Sequence, residues 1–137
     1  MSVPEGKRTE SRMKVFVEAQ ELCAYTVQIT SNTKTFNPQV DDDIIKRIRN
    51  CGYDIYAMAW RANKIRADTS KENRLLRYDL QMDAIGLCDD MLVYIGIAKK
   101  VFHLSSKRMK YWAGKILDVQ KLLRAWKDSD IRRYGKP

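Results

Sequence analysis

The chain has 137 residues, of which 45% are hydrophobic and 31% are charged, and its formal net charge at pH 7 is +9. This length supports one domain with a single core, and this composition is neither that of a disordered chain nor that of a fibrous one. Only three prolines and six glycines occur. Long uninterrupted elements are therefore expected, and helices fit that expectation better than many short strands.

The N-terminal residues 1–10 are predicted to form a flexible leader, because they are polar and contain Pro4 and Gly6. They lack the apolar stretch of a signal peptide. The longest apolar run, Met91–Ala98, is far shorter than the roughly 20 residues that span a bilayer. The sequence therefore predicts a cytoplasmic protein.

The first helix is predicted over residues 11–30, where apolar side chains recur at spacings of three and four. Its stripe consists of Phe16, Ala19, Leu22, Cys23, Thr26 and Ile29. A polar loop over residues 31–40 follows. Within this loop, Pro38 disfavours helical backbone at Asn37.

The second helix is predicted to begin at residues 41–43, three aspartates that suit the positive end of a helix dipole and can cap free N–H groups. Its apolar face consists of Ile44, Ile48, Cys51, Ile55, Met58, Ala59 and Ala62. Gly52 costs about 1 kcal/mol relative to alanine inside a helix. A close approach of another helix explains it, and so does simple tolerance.

The third helix is predicted to begin with a capping box over Thr69–Glu72, in which the threonine hydroxyl caps and the glutamate reaches back. It extends to about Phe102. Its apolar stripe consists of Leu76, Leu80, Leu87, Cys88, Met91, Leu92, Ile95 and Ala98, with Leu75, Tyr78, Met82 and Ile85 on the flank. A stripe this wide indicates contact with two neighbouring helices or with another subunit.

The fourth helix is predicted to begin at Ser105. Its apolar face consists of Met109, Trp112, Ala113, Ile116, Val119, Leu123 and Trp126. Four amphipathic helices joined by short loops predict an all-α fold, an antiparallel up-down-up-down four-helix bundle over residues 11–130, followed by a basic C-terminal tail over residues 131–137. The predicted core includes Leu22, Ile48, Ile55, Leu80, Leu92, Ile116 and Trp126.

Catalytic and metal chemistry finds little support in the residues. The cysteines are widely spaced and are predicted to be buried thiols, and His103 is the only histidine. Asp79 and Asp83 share a helix face, but this pattern is common on solvated faces, and a glycine-rich phosphate loop is absent. We therefore expect a protein that is not an enzyme and that has no metal and no cofactor.

The positive charge is concentrated at the C-terminal end of the sequence. Residues 107–137 contain ten Lys and Arg and three Asp, a net charge of about +7, and such an excess favours a polyanionic partner. An antiparallel bundle brings the start of the third helix and the end of the fourth to one pole. The candidate nucleic-acid-binding residues are Arg74, Arg77, Lys107, Arg108, Lys121, Arg124, Lys127, Arg132 and Arg133.

Two tyrosines lie among these cations. Tyr111 and Tyr134 are each suited to stacking on unpaired bases, or each is an ordinary residue of an amphipathic surface. The cations themselves have a second interpretation as well, that of a solvated face that keeps the protein soluble.

Three segments carry a resemblance to a known family: Val3–Thr9, Val101–Arg108 with Tyr111 and Trp112, and Arg124–Asp130 with the Arg133–Tyr134 pair. They resemble small four-helix-bundle proteins that include the accessory variability determinant (Avd) proteins of diversity-generating retroelements. The same family includes proteins encoded in intervening sequences of the large ribosomal RNA gene.

The resemblance implies a non-catalytic accessory role. Avd-type proteins form ring-like homo-oligomers, typically pentamers, with a basic surface. They bind the reverse transcriptase of the element and its template RNA, and so support mutagenic retrohoming into a variable gene. The alternatives are a structural oligomeric adaptor without nucleic-acid binding and a protein of the ribosomal intervening-sequence type.

Overall fold

The four predicted helices are present in the computed structural model, which describes residues 5–137 and the side chains from residue 12 onward. They are α1 (Glu5–Thr30), α2 (Pro38–Lys64), α3 (Lys71–Phe102) and α4 (Ser106–Tyr134). Residues 5–137 contain no β-strand. None of the helices found there combines the length and the apolarity needed to cross a membrane. The predicted all-α fold is confirmed.

The starts of three helices differ from the predictions, and those of α1 and α3 are the first two. α1 begins at Glu5, six residues before the predicted start, and residues 1–4 of the predicted leader lie outside the described residues. α3 is capped by Ser70, whose hydroxyl accepts a hydrogen bond from the backbone N–H of Asn73 at 3.0 Å. The predicted capping box is therefore wrong by one residue, because Thr69 bonds instead to the carbonyl of Arg66.

The start of α4 agrees with the sequence, whereas α2 begins at Pro38, three residues before the predicted start, with Asn37 as its N-cap. In α2 the backbone leaves helical geometry at Asp41 (φ −162°, ψ 101°). The carboxylate of Asp41 accepts a hydrogen bond from the N–H of Ile44 at 3.1 Å, which is the capping predicted for this aspartate. In α4 the hydroxyl of Ser105 accepts from the N–H of Arg108 at 3.2 Å.

Each helix packs on its two neighbours around the bundle, α1 on α2 and α4, and α3 on α2 and α4. Bonds between opposite helix ends show that neighbours run antiparallel. Near the start of α4, the indole Nε1 of Trp112 donates to Thr26 Oγ1, near the end of α1, at 3.1 Å. Near the start of α3, Arg77 contacts the end of α2 and the end of α4.

The core lies along the axis of the bundle. Five of the seven predicted core residues are buried, namely Leu22, Ile48, Ile55, Ile116 and Trp126. Leu80 and Leu92 are only partly buried and pack against the margin of the core. The face of α3 that points into the core is rotated about the helix axis relative to the predicted one, so that other residues of α3 are buried instead of these two leucines.

The first half of α3 buries polar residues where leucines were predicted. Leu75 and Leu76 are 47% and 54% exposed, whereas Arg77 and Gln81 are 6% and 1% exposed. From Ala84 onward the buried face continues through Cys88, Met91 and Ile95. The predicted stripe is therefore correct at Cys88, Met91, Ile95 and Ala98 and wrong at Leu76, Leu80, Leu87 and Leu92, which are exposed or only partly buried. In the first half of the helix, the reason is a hydrogen-bond partner on α4.

Two further packing contacts involve Phe36, at the opposite end of the bundle, and Gly52, between α1 and α2. Phe36, in the loop predicted to be polar, is fully buried, and its ring centroid lies 5.3 Å from that of Phe102 and 6.0 Å from that of Trp112. A Cβ placed on Gly52 would lie 3.6 Å from the Cα of Cys23. This is an ordinary van der Waals distance, so the α1–α2 contact would accept an alanine and does not require glycine at this position.

Candidate nucleic-acid interface

A buried ion pair joins α3 to α4 at the pole where α2 and α4 end. The guanidinium of Arg77 donates from Nε to Asp130 Oδ2 at 2.6 Å and from Nη2 to Asp130 Oδ1 at 2.9 Å. Both side chains are largely shielded from water, at 7% and 12% exposure. This two-pronged geometry suits a guanidinium and a carboxylate and fixes their relative orientation.

Three further contacts complete the pair. Nη1 of Arg77 donates to the carbonyl oxygen of Ile65 at 3.0 Å, which attaches the end of α2. Gln81 Nε2 donates to Asp130 Oδ2 at 2.8 Å, and the guanidinium carbon lies 5.1 Å from the centroid of the Trp126 ring. The charges are therefore compensated and hydrogen-bonded, which a buried pair requires. These contacts fix the start of α3 and the ends of α2 and α4 relative to one another, and we call this hydrogen-bonded network the frame.

A small cavity of about 10 Å³ lies beside this frame, lined by Arg74, Tyr78, Lys127, Tyr134 and the Arg77–Asp130 pair among others. Its volume is sufficient for about one water molecule and is too small for a nucleotide. The Nε atom of Arg74 is buried without an acceptor among the described residues. One oxygen atom, from water or from a phosphate, would provide the acceptor for this N–H group of Arg74.

The surface around the frame is strongly positive. Residues 61–79 and 121–137, which contain the three helix ends, hold twelve Lys and Arg against five Asp and Glu. We define the basic pole as six of the predicted cations, one near the start of α3 and five in the second half of α4. They are Arg74, Lys121, Arg124, Lys127, Arg132 and Arg133.

The structure brings together six of the nine predicted nucleic-acid-binding residues and separates three. Arg77 is a correction, since its guanidinium is buried and bound to Asp130, so that it supports the pole from beneath and presents no charge to a ligand. Lys107 and Arg108 lie at the start of α4, about 35 Å along the helix from Arg132 at 1.5 Å per residue. They belong to the opposite end of the bundle.

Lys127 is partly neutralised within the basic pole. Its Nζ lies 3.1 Å from Asp128 Oδ1, and its side chain is 20% exposed. Lys121, Arg124, Arg132 and Arg133 are exposed, and none of the ion pairs found among residues 12–137 includes them. Among the described side chains, these four carry unpaired positive charge at the pole.

The polar network was missed in the sequence, although a signal for it existed. Asp130 lies four residues after Trp126 and seven after Leu123, on the buried stripe of α4, and Arg77 lies seven residues before Ala84 on that of α3. Opposite charges that share the phase of two apolar stripes indicate a buried pair. Gln120 is another polar residue on the buried stripe of α4, and its Nε2 donates to Ile85 O and Asp89 Oδ1 at 3.1 and 2.8 Å.

Apolar side chains are also exposed, and two of the surfaces that carry them are the outer face of α3 and a groove between α1 and α2. On the outer face of α3 they are Leu75, Met82, Val93 and Ile97. Between α1 and α2 lies an open groove of about 420 Å³, lined by Gln20, Cys23, Ala24, Val27, Gln28, Tyr53 and Tyr56. Large apolar surfaces of this kind mark interaction sites more often than inert surface.

The three thiols are free. Burial raises the pKa of Cys51 to about 11 and that of Cys88 to about 12, and it also raises the pKa of the half-buried Cys23. At neutral pH these groups are thiols and lack the thiolate that nucleophilic or redox chemistry uses. Among residues 12–137, whose side chains the structure describes, no cluster of three His, Cys, Asp or Glu is placed to hold a metal ion.

Comparison with protein-family models, with curated proteins and with solved structures gives no match in any of the three.

Proposed function

We propose that this bundle is a non-catalytic RNA-binding protein, an accessory to a reverse transcriptase of the diversity-generating retroelement type, and that the basic pole contacts the template RNA. The observation that carries the proposal is the free charge of Arg124, Arg132 and Arg133 beside a buried, neutral ion pair. The resemblance of the chain to Avd-type proteins supplies the class of partner.

Two physical arguments support RNA as the ligand. Arginine donates in a planar fork that fits phosphate oxygens, and neutralising phosphates releases counterions from the nucleic acid. The three arginines lie in the C-terminal part of α4, which the Arg77–Asp130 pair holds against α3. A fixed array of cations loses less conformational entropy on binding than a flexible tail does.

The outer face of α3 and the α1–α2 groove support the protein partners of the same proposal. RNA has little affinity for Val93, Ile97 or the groove, whereas a reverse transcriptase or further copies of the chain would bury this apolar surface. We propose a homo-oligomer, and a pentamer by the resemblance, with the basic poles left free to contact RNA.

The test is a double charge reversal at the pole. Arg132→Glu with Arg133→Glu should weaken binding to structured RNA about equally for all sequences and leave the melting temperature nearly unchanged, since both side chains are exposed. The control reverses Lys34 and Lys100, also exposed, at the other end of the bundle. It changes the net charge by the same amount and should retain most of the binding. Fluorescence anisotropy with a labelled hairpin measures both.

Equal binding by wild type and the Arg132→Glu, Arg133→Glu variant would contradict the proposal. The apolar faces favour the structural adaptor as the second candidate, and this result would support it. The gene neighbourhood gives an independent test. A reverse transcriptase gene and an imperfect repeat pair beside this gene are expected, and an rRNA gene around it would indicate the intervening-sequence type instead.

A further inference from the structure

An aromatic cluster lies on the surface at the end of the bundle opposite to the basic pole. The ring of Tyr111, near the start of α4, is 56% exposed. Its centroid lies 5.2 Å from that of Tyr25 on α1, with the rings inclined by 68°. Tyr25 in turn packs edge-on against the buried ring of Trp112, at 6.3 Å. The position of the exposed ring is therefore fixed by the core beneath it.

Cations surround this ring. Lys115 Nζ lies 5.1 Å from the centroid of Tyr111 and 5.6 Å from that of Tyr25. Lys107, Arg108 and Lys115 stand four residues before, three before and four after Tyr111 on the same helix, so they share its face. Arg108 is close enough to Tyr25 to lower the pKa of that phenol, which its burial raises more strongly.

Carboxylates do not neutralise this face. Glu21, one turn before Tyr25, and Asp118, seven residues after Tyr111, are the acidic residues closest in register on the two helices. Neither of them forms an ion pair with Lys115 or Arg108. An exposed aromatic ring with uncompensated cations on both sides therefore remains at this end.

We propose that Tyr111, with Tyr25 behind it and Lys107, Arg108 and Lys115 around it, is a stacking platform for unpaired RNA nucleotides, distinct from the basic pole. The ring takes one base by its face, and the cations take the adjoining phosphates, which is how proteins bind single strands. An acidic peptide would use the cations but not the exposed ring face. This inference rests on the proposed function and extends it to the unpaired part of the same RNA.

The platform and the end of the basic pole lie far apart on α4, with Tyr111 about 32 Å along the helix from Arg132 at 1.5 Å per residue. The basic pole, with its arginine array, suits the closely spaced phosphates of a folded RNA. The platform suits a strand whose bases are free. An RNA with both parts would contact the bundle along its length.

The test uses two RNA probes, a hairpin and a single-stranded oligouridine about ten nucleotides long, with the full chain at one salt concentration. Tyr111→Ala should weaken oligouridine binding roughly 5- to 150-fold, the loss that removal of one stacked base produces. Hairpin binding should be nearly unchanged. Tyr111→Phe should bind oligouridine like wild type, because stacking needs the ring and not the hydroxyl.

The matched control is Leu117→Ala, which removes an equally exposed apolar side chain from the same helix and should bind both probes like wild type. An unchanged oligouridine affinity for Tyr111→Ala overturns the platform, and so does a loss in Tyr111→Phe equal to that in Tyr111→Ala. A third result would also overturn the platform. If a polyglutamate peptide displaces labelled oligouridine as effectively as unlabelled oligouridine does, the partner is an acidic protein. If instead the hairpin is bound equally by wild type and the Arg132→Glu, Arg133→Glu variant, the proposed function fails and not the platform alone.

Discussion

Arg77 and Asp130 show how a single pair of residues fixes one end of this bundle. Each charge would be costly to bury alone, and each is compensated by the other, by Gln81 and by the Ile65 carbonyl. The pair contributes orientation more than stability, because apolar residues of the same size can pack equally well in such positions. What it supplies is a fixed relation among the ends of α2, α3 and α4.

Removing one partner should therefore be strongly destabilising. Asp130→Asn leaves the guanidinium of Arg77 buried without its counter-charge and should lower the free energy of unfolding by about 3–5 kcal/mol, measured by urea denaturation. Asp68→Asn is the control, since the Arg66–Asp68 pair is exposed and its loss should leave the denaturation midpoint nearly unchanged. Equal midpoints for the two variants would show that the Arg77–Asp130 pair is solvated.

At the scale of the helices, the sequence predicts that α3 forms but does not predict which face of its first half is buried. Spacing alone favoured Leu76, Leu80 and Leu87, because all are apolar and lie on one face. The structure instead turns Arg77 and Gln81 inward, where Asp130 accepts hydrogen bonds from both. A hydropathy pattern weighs a leucine above an arginine at every position. It has no information about a carboxylate more than fifty residues later in the chain.

The helix starts follow the same logic on a smaller scale. Local chemistry correctly predicted the capping by Asp41 and the start of α4 at Ser105. At the start of α3, Thr69 and Ser70 are adjacent and both can cap, so the sequence alone did not decide between them. Asn73, three residues after Ser70, completes the cap that forms. Phe36 was missed because a single aromatic in a polar loop has no periodicity to reveal it.

The face assigned to α3 is tested by two truncations. Met91→Ala should destabilise the protein by about 2–5 kcal/mol, since the side chain is fully buried and a cavity remains. Leu76→Ala should change the free energy of unfolding little, because 54% of that residue is already exposed. Thermal or urea denaturation measures the loss of stability in each variant. A larger loss for Leu76→Ala than for Met91→Ala would show that the buried face of α3 is the one that periodicity predicts.

At the scale of the whole molecule, the bundle, its helix order and the position of the excess charge were all predictable. Four apolar stripes and three short connections leave one simple packing, and the charge of residues 107–137 is visible in the sequence. Three predicted binding residues do not belong to the basic pole. Arg77 is buried beneath it, and Lys107 and Arg108 lie at the opposite end of the bundle. Only packed helices reveal which charges face water and which face each other.

The exposed outer face of α3 predicts that the protein self-associates. Val93 is 61% exposed and lies in line with Leu75, Met82 and Ile97, so Val93→Glu should disrupt an oligomer with little effect on the melting temperature of the chain. Light scattering over micromolar concentrations should give a multiple of 16.0 kDa for wild type and a smaller particle for the variant. A wild-type particle with the mass of one chain would contradict the prediction.

The salt dependence of RNA affinity tests the basic pole most directly, because phosphate contacts release counterions in proportion to their number. If about six phosphates are engaged, wild-type affinity for a structured RNA should fall by about 10³ or more between 50 and 200 mM salt. Arg132→Glu with Arg133→Glu should flatten the slope of log affinity against log salt by about 2 for each pole engaged. A wild-type affinity that is insensitive to salt, or a slope that the two substitutions leave unchanged, would contradict the account.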